Sequence, residues 1–315
     1  MSDSETDSQK YNKSKRKIIE MRISNGLKNH PVKHKKLKQP YTPPELFKLH
    51  TLAAFVGHRG SGKTHAIVNL TKRYLDEGSF TKIYVISPTY ESNPVFHVLG
   101  IQKEDVYTDH TNAIAAVNDI LGKTKKDADE YDKYEEYMKA YLKWNQHKKI
   151  TMDEYTMLEN NDFKKPPFVP RPSPLLIIDD MSHSDIYSTS RGNPFINLCL
   201  RHRHINHGKG ISIFMAAQTF RSGLPLALRQ NIQEYFIWPT HDSGQLDAIY
   251  HEVANLVDEE TFKHLYFMAT KDPHCFLTID TNAVPEKQFR RNFDTFLNPK
   301  SGHNNTEEGE ESTEE

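Results

Sequence analysis

Glycines, a lysine and a threonine at fixed spacing are the residues of this chain best suited to chemistry. Gly57, His58, Arg59, Gly60, Ser61, Gly62, Lys63 and Thr64 follow the pattern G-x-x-x-x-G-K-[ST]. Such a loop curls so that successive backbone N–H groups face one anion. The start of a following helix adds its positive dipole end. Lys63 can reach the β- and γ-phosphates of a nucleoside triphosphate, and Thr64 can offer its hydroxyl to Mg²⁺. Nucleotide contacts are therefore expected from Gly57 through His65, with ATP and Mg²⁺ as cofactors. A glycine-rich surface turn beside a lysine is the plain alternative. The flanking residues argue against it: Leu52 to Val56 reads as a buried strand leading in, and His65 to Glu77 as a helix leading out.

A triphosphate needs a metal partner and a water activator. Pro174 to Ile178 is an apolar, β-prone run that ends in Asp179 and Asp180. Asp179 fits the acidic residue that holds Mg²⁺ opposite Thr64. Asp180 is the candidate that polarises the attacking water. Two aspartates before a Met-Ser pair are also good turn chemistry, but the upstream loop favours the metal role. Gln218 ends the next apolar run, Ile211 to Ala217. Its carboxamide can donate to the γ-phosphate and accept from the lytic water; otherwise it is a polar strand cap. Arg201, Arg203, Arg221 and Arg229 flank that run. One of them, supplied by a neighbouring subunit, could stabilise the transferring phosphoryl group. The residue types alone select none of the four. His202, His204 and His207 invite a metal reading, but their spacing separates them on a helix and no thiol pair is near.

These residues need a scaffold. Lys82 to Ser87 reads as a strand stopped by Pro88, and Glu234 to Trp238 as another stopped by Pro239. Thr111 to Leu121 suits a helix with Thr111 as its N-cap. Ile196 to His204, Gln245 to Leu256 and Asp258 to Leu265 read as further helices. Tyr266 to Thr270 and Cys275 to Asp280 flank Lys271 to His274 as a terminal hairpin. Residues 123–173 are dense in Lys, Glu, Asp and Tyr, with an exposed helix expected over Ala128 to His147 and loop over Asp162 to Pro174. They read as an insertion between core strands. Alternating strands and helices predict an α/β fold with a mostly parallel sheet covered on both faces. In such sheets ligands bind beyond the carboxyl ends of the strands. The loop, the carboxylate pair and Gln218 all fall at such ends.

The chain has 315 residues and two cysteines, Cys199 and Cys275, too few for a disulfide framework. No apolar run is long enough to span a bilayer and no signal-peptide core is present, so a soluble intracellular protein is expected. Net charge is −1 but unevenly placed. Lysines and arginines crowd Lys10 to Lys38, and glutamates crowd the tail from Ser301 to Glu315. Both ends are too polar to bury a core and are expected to be disordered. The domain expectation is a basic arm and linker over 1–45, an ATPase domain over 46–298, and an acidic tail over 299–315. The arm could bind nucleic acid by counterion release, or serve as a solubilising or localising tail.

Several motifs together resemble a known family. Phe55 through Thr64, Leu175 to Asp180, Arg203 to Asn206 followed by Ile211 to Arg221, and Leu224 to Asn231 resemble the genome-packaging ATPases of nucleocytoplasmic large DNA viruses and virophages, within the FtsK–HerA group of P-loop motors. The likeness covers roughly residues 46–280. It implies a RecA-like P-loop NTPase fold and a homo-oligomeric ring that translocates double-stranded DNA into a capsid. It also implies a capsid or portal-vertex protein as partner, and the host cytoplasm, a viral factory or the virion as location. In that family the loop Lys and Thr bind nucleotide and Mg²⁺, the acidic pair serves Mg²⁺ and hydrolysis, and the Gln acts as sensor. These roles map onto Lys63, Thr64, Asp179, Asp180 and Gln218. A helicase or segregation ATPase with the same core is an alternative, and so is a nucleotide-gated assembly factor with little turnover. Residues 123–173 and both tails lie outside the resemblance.

Overall fold

A computed structural model describes residues 40–299 apart from His183 and His241. The basic arm up to residue 39 and the acidic tail from residue 301 lie outside the described residues.

Short apolar runs bounded by turn residues make the strands. The loop-bearing strand β1 is Leu52–Val56, and β2 is Lys82–Ile86. They are followed by β3 (Val106–Tyr107), β4 (Pro174–Ile178), β5 (Ser212–Ala217) and β6 (Glu234–Ile237). Three more, β7 (Leu277–Asp280), β8 (Phe289–Arg291) and β9 (Thr295–Phe296), close the chain's described part. Among the described residues these strands form one sheet in the order β3-β2-β4-β5-β1-β6-β7-β8-β9. Pairings from β3 through β6 are parallel, and those from β6 through β9 are antiparallel.

Both faces of the central strands are buried, as continuous apolar runs require. Leu52, Ala54 and Val56 of β1 face one core, while Ala53 and Phe55 face the other. The same alternation holds in β4, β5 and β6, so each strand feeds two layers. One layer is covered by helix α1 (Lys63–Asp76), whose Ala66, Ile67, Leu70 and Tyr74 are buried at helical spacing. This helix stops at Gly78, which takes the left-handed conformation with φ +67° while its N–H and that of Ser79 bond back to Leu75 and Tyr74. The other layer is covered by α2 (Ala113–Asn145), α4 (Pro194–Arg201), α7 (Ser243–Val253) and α8 (Glu259–Thr270). Smaller elements between these are α3 (Met152–Glu159), α5 (Ile205–Gly208) and α6 (Leu226–Arg229).

The structure corrects three expectations. The helix expected over Thr111 to Leu121 and the one expected over Ala128 to His147 are a single helix, α2, which starts at Ala113 with Asn112, not Thr111, at its cap. Thr124 and Ala128 stay buried, so the helix keeps an inner face across the place where the apolar pattern fades. The insertion is therefore a continuation of a core helix. Its outer part folds back through α3 over a small core of Tyr137, Ala140 and Leu158, and Thr151 and Glu154 start α3 with reciprocal capping bonds. Tyr266 to Thr270 is helical, because Phe262, Leu265, Tyr266 and Ala269 form the buried stripe of α8. The terminal hairpin is instead built by β7 and β8.

Candidate functional site

The loop after β1 turns at the carboxyl edge of the sheet. Gly60 and Gly62 have φ of +79° and +104°, which side chains rarely tolerate. Gly57 is glycine for a different reason: a Cβ there would stand 2.6 Å from Trp238 Cβ and 2.8 Å from Ser61 Oγ. Gly62 occupies the N-cap position of α1, so the loop passes straight into the helix N-terminus. Lys63 is buried and folds over the loop, with Nζ donating to the carbonyls of Gly57 at 2.7 Å and His58 at 2.9 Å. Burial lowers its pKa, and the charges of Asp179 and Asp180 oppose that shift.

Two strand ends meet the loop. Thr64 Oγ1 donates to Asp179 Oδ2 at 2.8 Å, which joins α1 to the end of β4. Asp179 is 1% exposed. Burial raises its pKa, the Thr64 bond works against that, and the neighbouring charge of Asp180 adds to it. A buried carboxylate beside a hydroxyl is an all-oxygen donor pair of the kind Mg²⁺ takes alongside water and phosphate, so the residues present fit that ion. Among the described residues no cluster of three or more His, Cys, Asp or Glu is arranged to hold a metal ion. Asp180 is exposed and left-handed, with φ +53°. Its N–H donates to Asp179 Oδ1 at 3.1 Å, and its Oδ2 accepts from Thr89 Oγ1 at 2.9 Å.

A cleft of about 730 Å³ brings most of these groups together. Arg59, Gly60, Gly62, Lys63, Thr64, His65, Asp179, Asp180 and Gln218 all line it. Gly57 and His58 line a smaller adjoining cavity together with Gln218. Ser61 lines neither; its hydroxyl is buried behind the loop. The far wall is formed by residues the sequence reading missed: Trp238, Pro273, His274, Phe276 and Phe293. Trp238 Nε1 donates to the His274 carbonyl at 3.2 Å, and its ring lies 4.4 Å from that of Phe276. Only the pairing of β6 with β7, and of β7 with β8, carries this wall to the loop, so local pattern gave no signal. Thr89 was also missed, though its place just after β2, where Pro88 stops the strand, is a usable clue.

None of the four candidate arginines lines the cleft. Arg201 and Arg203 lie at the opposite edge of the sheet, before β5, where Ile211 N bonds to the His202 carbonyl. Arg221 is exposed just beyond Gln218, on the same edge as the loop. Arg229 is held within its own chain, 3.0 Å from Glu252 and over the Phe220 ring.

A phosphate-type loop after β1, a carboxylate pair after β4 and a polar strand end between them define a P-loop α/β domain with RecA-like strand order. No family model matches the chain, and no curated protein matches it. Solved structures resemble it at a distance. The genome packaging NTPase of Sulfolobus turreted icosahedral virus 2, in complex with ATP-gammaS, is 14% identical over 78% of this chain and 98% of its own, with a TM-score of 0.44. The conjugation coupling protein TcpA of pCW3, in monomer form with ATPgS, is 14% identical over 78% of this chain and 61% of its own, with a TM-score of 0.41. The cytoplasmic domain of the Type VII secretion ATPase EccC of Thermomonospora curvata is 14% identical over 82% of this chain and 26% of its own, also with a TM-score of 0.41. Function is read from the cleft residues themselves.

Proposed function

We propose that this protein is an ATPase that drives the packaging of double-stranded DNA into a viral capsid as a homo-oligomeric ring. The observation that carries the ATPase part is the meeting of Lys63, Thr64, Asp179, Asp180 and Gln218 around one cleft. The packaging part rests on the motif resemblance, in particular on Arg203 to Asn206 and Leu224 to Asn231.

In this reading the loop N–H groups and the start of α1 receive the phosphates. Lys63 leaves the carbonyls of Gly57 and His58 and turns to the β- and γ-phosphate oxygens. Thr64 and Asp179 would hold Mg²⁺, and that ion would supply neutralisation of the negative charge that develops on the transferring phosphoryl group. Asp180 orients a water and takes its proton as the water oxygen bonds to the γ-phosphorus. The bond to the bridging oxygen breaks, and ADP leaves with the electron pair. Gln218 donates to the γ-phosphate and accepts from the same water. An arginine of a neighbouring subunit completes the charge stabilisation.

Among the described residues no helix is long and apolar enough to cross a membrane. The test is the ATPase rate of the full chain with and without duplex DNA, with oligomeric mass measured in the same buffer. DNA-stimulated turnover by an oligomer is expected. A strictly monomeric protein whose turnover ignores DNA overturns the motor, and no turnover at all overturns the enzyme.

A further inference from the structure

The chain between α3 and β4 is rich in proline. From Lys165 to Pro174 every residue except Phe168 is a proline or stands directly before one. Proline fixes φ near −65° and pushes the residue before it to extended backbone. A run so constrained favours polyproline II, which has three residues per turn. The exposure of the segment repeats with that period. Pro166, Val169 and Pro172 form a half-buried edge against the protein, whereas Lys164, Pro167 and Pro170 form an exposed one. On the third edge Lys165 and Phe168 are exposed, Phe168 by 82%. Arg171 ends that edge half-buried, with its guanidinium donating to the Gly208 carbonyl at 3.0 Å. Both ends of the segment are pinned. Tyr137 Oη donates to the Lys164 carbonyl at 2.8 Å. Ser173 N donates to Thr81 Oγ1 at 2.9 Å, and its carbonyl accepts from Thr81 N at 3.0 Å. Between these points Lys165 to Pro170 make no hydrogen bond to any described residue. A polyproline II strand has no internal hydrogen bonds, so its carbonyls stay open to a partner.

We infer that residues 164–172 are a preformed docking ligand for a partner protein whose groove is lined by Tyr and Trp side chains and rimmed by a carboxylate. The rings of Pro167 and Pro170 stand one turn apart on an exposed edge and fit between flat aromatic walls. The O–H and N–H groups of those walls donate to the open carbonyls. Phe168, on the adjoining edge, adds an apolar contact. The carboxylate meets Lys165, whose neighbour Lys164 is already paired with Asp162 at 2.9 Å. Because folding pins the segment at both ends, binding has little chain left to order, which favours affinity. None of these residues lines the nucleotide cleft, so the docking role is independent of the ATPase reading.

The test titrates the full chain with a panel of isolated SH3 and WW domains, which take polyproline II ligands through such grooves. Calorimetry reads the binding. At least one domain should bind saturably with a Kd below about 1 mM, and its own proline-rich peptide should displace the chain. The double variant Pro167→Ala/Pro170→Ala should weaken that binding by about tenfold or more, as two ring contacts are lost. It should melt with the wild type and keep its ATPase rate, because the exposed edge touches neither core nor cleft. Lys165→Glu should weaken binding more at low salt than at high salt; an affinity equal to wild type at both overturns the carboxylate rim. No binding by any domain overturns the inference. So does binding that the double variant leaves unchanged, or that the competing peptide does not displace. If the double variant melts early, Phe168→Ala decides instead. Its ring is 82% exposed and takes no part in the core, so undiminished binding by Phe168→Ala overturns the inference and weakened binding without early melting supports it.

Discussion

Replacing Lys63 with methionine separates folding from nucleotide binding. Lys63 is 8% exposed, and its ammonium makes bonds of 2.7 and 2.9 Å to two loop carbonyls. Hydrogen bonds to charged groups contribute roughly 1.5–3 kcal/mol each. Their loss is opposed by removal of the ammonium's own desolvation cost, which is several kcal/mol for a buried ion. Methionine retains an unbranched apolar stem. The opposing terms should move the ligand-free melting temperature by only a few degrees. Mg-ATP should then tell the proteins apart. At a ligand concentration of about 100 Kd the wild type gains roughly 2.7 kcal/mol. At about 2–4 °C per kcal/mol for a chain of this size, that is a rise of roughly 5–10 °C. Lys63→Met loses charge-assisted contacts to the phosphates worth roughly 3–5 kcal/mol, so its Kd rises by at least about 10²-fold. At the same concentration it gains less than about 0.5 kcal/mol, a shift of roughly 1–2 °C. Thermal denaturation with and without Mg-ATP, alongside an ATPase assay, reads both quantities. A Lys63→Met protein that melts near the wild type and keeps the full Mg-ATP shift would refute the loop as the phosphate site.

Asp179→Asn should raise the Mg²⁺ concentration needed for half-maximal rate, whereas Asp180→Asn should bind Mg-ATP and turn over about 10²–10⁴-fold more slowly; identical behaviour of the two refutes their division of roles. Mixing Lys63→Met subunits with Arg201→Ala, Arg203→Ala or Arg221→Ala subunits should restore turnover for one of the three, since an arginine supplied in trans contributes about 10³–10⁵-fold. Restoration by none, with co-assembly shown by mass, argues against a shared site. Arg229→Ala should instead destabilise the fold by about 2 kcal/mol in denaturant melts, because Glu252 loses its partner. Glu234 is buried and its carboxyl is pushed well above its ordinary value, first by burial and then by the charge of Asp280. The folded state holds that proton more tightly than the unfolded state, so its contribution is full below about pH 4.5 and is lost as pH rises. The stability advantage of Glu234→Gln over the wild type should therefore widen from pH 4.5 upward, and a flat difference rules the account out. Deleting residues 1–39 should leave basal ATPase activity intact and flatten the salt dependence of DNA affinity, each lost phosphate contact being worth a slope of about 0.9. An unchanged slope takes the arm out of the DNA interface.

Strand ends were legible from local pattern because a buried parallel strand is an apolar run stopped by a residue it cannot bury. That rule located Gly57, Asp179 and Gln218 correctly at one edge. It said nothing of direction. The left-handed φ of Asp180 and the Thr89 hydroxyl that meets it depend on β2 lying beside β4. The far wall of the cleft was illegible for the same reason: Phe276 reaches Trp238, and Phe293 packs on Phe276, only because β7 runs antiparallel beside β6 and β8 beside β7. In α8 the aromatic Tyr266 and Phe267 suggested a strand. The helix wins because Asp258 caps it at Thr261 N with a 2.9 Å bond and its buried residues repeat at helical spacing. Tertiary burial overrides the local preference of an aromatic pair.

The charged segment after Leu121 illustrates how far composition can mislead about mechanics. Its polarity reads as an appendage, and much of its surface is exposed. Yet α2 runs 33 residues without interruption, a rod of about 50 Å. Ala113, Ala116, Val117 and Ile120 root it in the core. Farther along, Asp132 accepts from Lys209 Nζ at 2.6 Å and pairs with His207 Nδ1 at 2.8 Å. Lys209 is 3% exposed on its side chain and stands three residues before β5, the strand that ends at Gln218. The rod is thus fastened to the sheet at two places, one in the core near its start and one beside the strand that carries Gln218. Its outer hairpin with α3, closed over Tyr137, Ala140 and Leu158, thus continues a helix rooted in the nucleotide domain.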